Sequence, residues 1–337
     1  MSLLFFDGFD GYDSPTDLTN YGGWYSNNGA PTSSIVRVGT GKSMQLGNST
    51  DRLRYVLPTD HAGKTLYIGF AVYFSNITSS IFVEIYNTFL QRHVYIQISS
   101  SGNLQVVFSD GTILSTGTTT LLASTWYYIE IKVLIANSGG IIDCVLNGAS
   151  EFVFSGDTQY QTTNSVGYIS FPNYGGITSV YIDDLYILNN DGSVNNTYLG
   201  EVLINRLVQT GDSSVAFTRN TGATNYEAID DMLGAPDDAT TYVYATTTGT
   251  KDEYTLSNTV SANTIYGVKV NTRAQKDDVN PKSFKNGIKT GATQQDVTHS
   301  LGIGYTNYID IFETSDGGTT LWTPTTLDAA VSTIEVV

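Results

Sequence analysis

Apolar residues recur at every second position through long stretches of this chain, the spacing of a strand that buries one face. Thr65 to Phe74, TLYIGFAVYF, sets Leu66, Ile68, Phe70, Val72 and Phe74 on one side. IFVEIY (81–86), HVYIQI (93–98), LQVVF (104–108) and WYYIEIKVLI (126–135) continue the alternation. In the last, Tyr127, Ile129, Ile131, Val133 and Ile135 form the buried side, while Trp126, Tyr128, Glu130 and Lys132 face outward or toward a second layer. SSSGN, SDG and Asn147-Gly148 supply the Gly, Asp and Asn that hairpin turns require. Strands about ten residues apart, with no helices between them, predict antiparallel sheets packed as a sandwich.

The pattern lapses at NNDGSVNNTYLG (189–200), which predicts an all-β chain of two β-sandwich domains, one over 1–198 and a smaller, β-rich one over 199–337 for docking or oligomerisation. Beyond it, EVLINRLV (201–208) reads as a strand. NYEAIDDML (225–233) reads as one short helix, capped by Asn225 and apolar at Ala228, Ile229 and Met232. DEYTL, IYGVKVNTRA (265–274), KSFKNGIKT and YTNYIDIFET alternate again, so the second domain is also mostly β. No short period repeats, which argues against a propeller or solenoid.

Charge narrows the partners. The chain carries 32 acidic and 16 basic residues, net −16, divided evenly between its two parts, and such a field repels nucleic-acid phosphate. The single Cys144 allows no internal disulfide. The longest apolar run is broken by Glu130 and Lys132, so no membrane span is expected, and MSLLFFDGFDG lacks the basic start of a signal peptide.

Several stretches could carry chemistry. In SVYIDDLYILNNDG (179–192), Asp183 and Asp184 are adjacent, so on a regular strand they point to opposite faces and cannot form a catalytic dyad by themselves. A strand end turning into NNDG, or one carboxylate at a sheet rim, is the expected role. Asp7, Asp10 and Asp13, with Asp17 beyond, offer the oxygen ligands that calcium takes, though turn aspartates accepting backbone hydrogen bonds explain them as well. Tyr21, Trp24 and Tyr25 form an aromatic cluster in a glycine-rich stretch; interface packing is the preferred reading and sugar stacking the other. Lys269, Arg273 and Lys276 belong to a basic run ending at Lys289, either a solvated sheet face or a contact with an acidic neighbouring subunit. His61, His93 and His299 are far apart and have no metal-type neighbours. SDGGTTLW (315–322) is similar to the aspartate box of sialidase propellers, but as one copy, out of register, it reads as a β-turn.

DGFDGY (7–12), WYYIEIKV followed by a strand ending VLNG, and SVYIDDLYILNNDG occur in the order seen in concanavalin A-like, or LamG-like, jelly-roll domains of tailed-bacteriophage virion proteins. LGEVLINRLVQTGD, TNYEAIDDM, IYGVKVNTRAQKDD and ETSDGGTTLWT resemble the domain that follows such jelly rolls. The resemblance implies a non-enzymatic structural component of a phage particle, first a capsid decoration or cement protein that forms homotrimers and binds the major capsid protein. The alternative is a tail or head-fibre appendage that recognises host glycan through the jelly roll. It implies no cofactor, calcium aside, and a virion location. Glucanases on the same fold carry E-x-D-x-x-E on one strand; that string is absent, and Glu84 and Glu130 have no acidic residue two places away.

Overall fold

The alternating stretches form strands close to where their pattern puts them. The computed structural model describes residues 2–259 and 264–337, and the chain divides into two units, Ser2–Ile204 and Asn205–Val337. The first contains β1 (Leu3–Asp7), α1 (Pro15–Tyr21), β2 (Trp24–Asn27), β3 (Ala30–Thr32), β4 (Ser43–Leu46), β5 (Arg52–Val56), β6 (Leu66–Phe74), β7 (Ser80–Tyr86) and β8 (Arg92–Ile98). It continues with β9 (Asn103–Phe108), β10 (Ile113–Thr120), β11 (Trp126–Leu134), β12 (Gly140–Leu146), β13 (Ala149–Gly156), β14 (Tyr168–Pro172), β15 (Tyr174–Gly175) and β16 (Val180–Asn189).

These strands make two antiparallel sheets, one ordered β13-β12-β11-β6-β16-β4-β3 with β1 beside β16, the other β10-β9-β8-β7-β14-β5-β2 with β15 beside β7. This is the antiparallel sandwich that the pattern predicts, with the all-β fold that the resemblance to jelly rolls implies. The facing sides interlock through aromatic rings: Phe70 meets Phe82 and Phe171 with ring centroids 6.5 and 5.2 Å apart, and Phe74 meets Phe82 at 5.3 Å. Asn147 and Gly148, at φ 49° and 79°, close the β12–β13 hairpin in the left-handed conformations for which the Asn-Gly pair is suited.

Helix α1 carries no strand alternation, and its signal in the sequence is a cap. Ser14 and Asp17 form a reciprocal capping box around Pro15, whose fixed φ suits the first helical turn.

The second unit contains β17 (Gln209–Ser214), β18 (Thr218–Arg219), β19 (Val243–Tyr244), β20 (Lys251–Leu256), β21 (Val268–Ala274), β22 (Ser283–Thr290), β23 (Thr293–Ser300), β24 (Thr306–Phe312), α2 (Pro324–Asp328) and β25 (Ala330–Val336). One five-stranded sheet, β17-β20-β25-β22-β23, is joined by the two-stranded ribbon β21-β24. Ile288, Phe312, Trp322, Leu327 and Ala330 form a core, with Val268 and Val270 of the ribbon packed against it.

Two local expectations change. EVLINRLV does not form a strand, because Arg37 takes the Val202 carbonyl and Asp184 takes the Ile204 amide. NYEAIDDML shortens to one 3-10 turn over Tyr226–Ala228. The Asn225 side chain does not cap it; it donates instead to Asp252 at 2.7 Å and to the Phe217 carbonyl at 3.0 Å.

Candidate functional site

Asp183 and Asp184 lie in the middle of β16, not at a strand end. Upstream of them Val180–Ile182 pairs with β4, and downstream Leu185–Leu188 pairs with β1. Against β6 the register shifts between Asp183 and Tyr186, and Asp184 has φ 47°. This β-bulge inserts a residue and inverts the phase of the strand. Ile182 faces Val72 and Ile187 faces Ile68, so two residues an odd number apart both point into the core. Tyr186, opposite Gly69, is thereby turned to the outer side, where only glycine leaves room: a Cβ on Gly69 would stand 2.1 Å from the tyrosine ring.

The outer side of this sheet is covered by residues 198–204. Asp184 accepts from Arg37 Nη1 at 2.6 Å and from the Ile204 amide at 2.7 Å. Arg37 also donates to the Val202 carbonyl at 2.6 Å and to Glu201, with its guanidinium 4.9 Å from the Tyr128 ring centre. Glu130 accepts from the Tyr186 hydroxyl at 2.5 Å and the Gly200 amide at 2.9 Å. Burial first, and then the charge of Asp184, pushes the Asp183 carboxyl up to about 8. Burial raises Asp184 as well, against the pull of Ile204 and Arg37. Asp184, through both oxygens, and Glu130, through Oε1, hold the covering segment in place.

The outer face of the other sheet is arranged differently. Cross-strand partners run Tyr25 on β2, Arg54 on β5, Ser170 on β14, Glu84 on β7 and Tyr95 on β8, so five neighbouring strands present these side chains on one face. Glu84 is closed by Arg92 at 2.7 Å and the Tyr86 hydroxyl at 2.9 Å. Burial, then the Glu84 charge, pushes the Tyr86 phenol up to about 12. Arg54 is set among three rings, 5.6 Å from the centres of Tyr25 and Tyr86 and 5.9 Å from Tyr168. Arg52, two residues along the same strand face, lies 5.0 Å from Tyr174. Yet the buried Nε atoms of Arg52 and Arg54 and the buried Ser170 hydroxyl have no hydrogen-bond partner. Those three atoms are sealed beneath their neighbours, so what the face offers a ligand is the partly exposed remainder of the two guanidiniums and the rings beside them.

The predicted site residues fall as follows. Trp24 is 2% exposed and donates its indole N–H to Asp7 at 2.9 Å, so it cannot stack on a sugar. Tyr21 is half-buried at the end of α1 and Tyr25 is 57% exposed; only Tyr25 belongs to the open face. The aspartates of the calcium expectation have protein partners: Asp7 accepts from the Phe9 amide, the Tyr12 hydroxyl and Trp24. Asp10 accepts the Lys42 amide at 2.7 Å, Asp13 pairs with the Lys42 ammonium, and Asp17 accepts the Asp13 and Ser14 amides. Among the described residues no group of three His, Cys, Asp or Glu could hold a metal. His93 is buried, with its ring 3.2 Å from the Ser165 carbonyl, and Cys144 is buried with its thiol raised by desolvation.

Arg273 turns onto its own unit, where it grips Asp238 at 2.5 and 2.8 Å and lies 5.3 Å from the Tyr305 ring. Lys276 donates to the Asn280 carbonyl at 2.8 Å, and Lys269 is half-buried on β21. Lys285 and Lys289 pair with Glu335 and Glu253. The basic run is thus largely consumed within the domain, and the subunit-contact reading loses its Arg273. In SDGGTTLW, Asp316 accepts from Gly318 and Thr320, closing the expected turn. Sequence reasoning missed Arg52, Arg54, Ser170 and Tyr95. The available signal was R-x-R in RLRYV, two cations on one strand face.

No model of a known protein family matches the chain, and comparison with curated proteins finds no match. Among solved structures it is similar to an endo-β-1,4-glucuronan lyase from Trichoderma reesei, at 14% identity over 50% of this chain and 92% of that one, TM-score 0.41. It is also similar to a Bacillus subtilis protein of unknown function with a galectin-like fold, at 10% identity over 56% and 96% of the two chains, TM-score 0.39. A third is domain 4 of the arabinanase AbnA from Geobacillus stearothermophilus, in complex with arabinotriose, at 16% identity over 55% and 91%, TM-score 0.38. Likeness this distant carries no argument about what the chain binds or does.

Proposed function

We propose that this protein is a non-enzymatic adhesive component of a bacteriophage particle, and that the open tyrosine–arginine face of its first domain is the contact surface. The observation that carries the adhesive part is the contrast between the two outer faces. Asp184 on one and Glu84 on the other have both oxygens bonded to protein donors, and Glu130 has one, while the partly exposed Arg52 and Arg54 have no ion pair among the described residues and stand beside rings. General acid or nucleophile work asks for a carboxyl free to reach a substrate; binding asks for unspent donors beside rings.

The particle part rests on the ordered sequence segments that resemble virion proteins. Capsid decoration, with the chain as a homotrimer on the major capsid protein, is one position for it. The open face favours the other, an appendage that meets an external surface, since tyrosine and arginine dominate the energetics of such contacts. Quantifying the chain in purified particles tests the proposal: a fixed stoichiometry is expected, and its absence from every particle would refute the virion role. Release of reducing ends or of unsaturated products from a polysaccharide by the purified chain would refute the non-enzymatic role.

A further inference from the structure

We propose that the open face binds an acidic glycan, with sugar carboxylates seated against Arg54 and Arg52 and sugar rings lying on the neighbouring tyrosines. The inference rests on the adhesive reading above and names its ligand. Charge comes first. The strands of this sheet carry Arg52, Arg54 and Arg92 against the single carboxylate of Glu84, three against one, in a chain of net −16. Arg92 is spent on Glu84, at 2.7 Å, and among the described residues Arg52 and Arg54 pair with no carboxylate, their guanidiniums lying against tyrosine rings instead. A guanidinium fork matches a carboxylate bidentately, and its value rises where rings exclude water.

Shape comes second. Arg54 and Arg52 are partly exposed and flanked by rings, Arg54 by Tyr25, Tyr86 and Tyr168 and Arg52 by Tyr174. Tyr25, more than half exposed beside Arg54, offers a ring face to the C–H side of a pyranose. The row crosses five strands spaced about 4.8 Å apart, so the natural ligand lies across the strands as an extended oligomer.

Calorimetric titration of the full chain tests this, with oligogalacturonate as probe and neutral dextran, dextran sulfate and inorganic phosphate as comparisons. Oligogalacturonate is expected to bind and dextran not, with affinity falling as salt rises. Arg54→Gln is expected to weaken binding about tenfold or more, and Tyr25→Ala about three- to tenfold, while Lys282→Gln in the second domain leaves it unchanged. Thermal melts confirm that each variant is folded, and Tyr25→Ala, at an exposed position, keeps the test decisive if Arg54→Gln is not. Saturable binding of dextran, equal affinity for phosphate or sulfate, or no binding of oligogalacturonate would overturn the inference, as would self-association abolished by Arg54→Gln. Loss of the glycan with retention of the chain in particles sinks only this inference, whereas polymer turnover sinks the adhesive reading instead.

Discussion

Asp183→Asn probes the bulge directly. In an unfolded chain an aspartate titrates at about 3.9; in the folded protein, burial and then the charge of Asp184 push Asp183 up to about 8. Between those values the native state holds a proton that the unfolded chain releases. Stability from this group is therefore full below about pH 4 and is lost as pH rises toward about 8, at about 1.4 kcal/mol per unit. From about pH 5 to about pH 7 the loss is about 3 kcal/mol. Asparagine copies the neutral carboxyl and keeps the oxygen that accepts the Asp184 amide at 2.9 Å. The stability of Asp183→Asn relative to wild type should thus grow by about 3 kcal/mol across that interval. His61 and His93, lowered chiefly by burial, act in the opposite sense, losing stability as pH falls, and cancel in the difference. Urea unfolding of both proteins at several pH values measures it. A difference that stays constant with pH would mean that Asp183 is ionised in the fold, and the reasoning from its burial would fail.

Gly69→Ala forces a methyl into the Tyr186 ring, 2.1 Å away, and should cost about 1–3 kcal/mol in the same unfolding assay. Arg37→Met strips Asp184 and the Val202 carbonyl of their shared donor; about 3–5 kcal/mol of destabilisation and faster proteolysis within 198–204 are expected, the latter seen by mass mapping of the fragments. Trp24→Phe removes one of three donors to Asp7 and should lower stability by about 1–3 kcal/mol while leaving oligogalacturonate affinity unchanged, the reverse of Tyr25→Ala.

The sequence by itself determined the strands of the sandwich. Alternation over 65–74, 81–86, 93–98 and 126–135 is a local property, enforced by the pleat, and the Asn147-Gly148 turn is fixed by which residues tolerate φ above zero. The capping box at Ser14 was equally local and readable. Short segments with competing partners were not: Asn225 looked like a helix cap, but the buried Asp252 claims its side chain from 27 residues away.

Only the tertiary structure decided the rest. Period two puts Asp184 and Tyr186 on the same side as Ile182, and the bulge reverses that phase because β16 changes neighbours from β4 to β1 at that point, information held in strands far off in sequence. Likewise Trp24 and Tyr25 are adjacent letters, but one is sealed against Asp7 and the other stands beside Arg54 on the open face. That face joins residues from 25 to 170, and whether a donor finds a partner depends on everything packed around it.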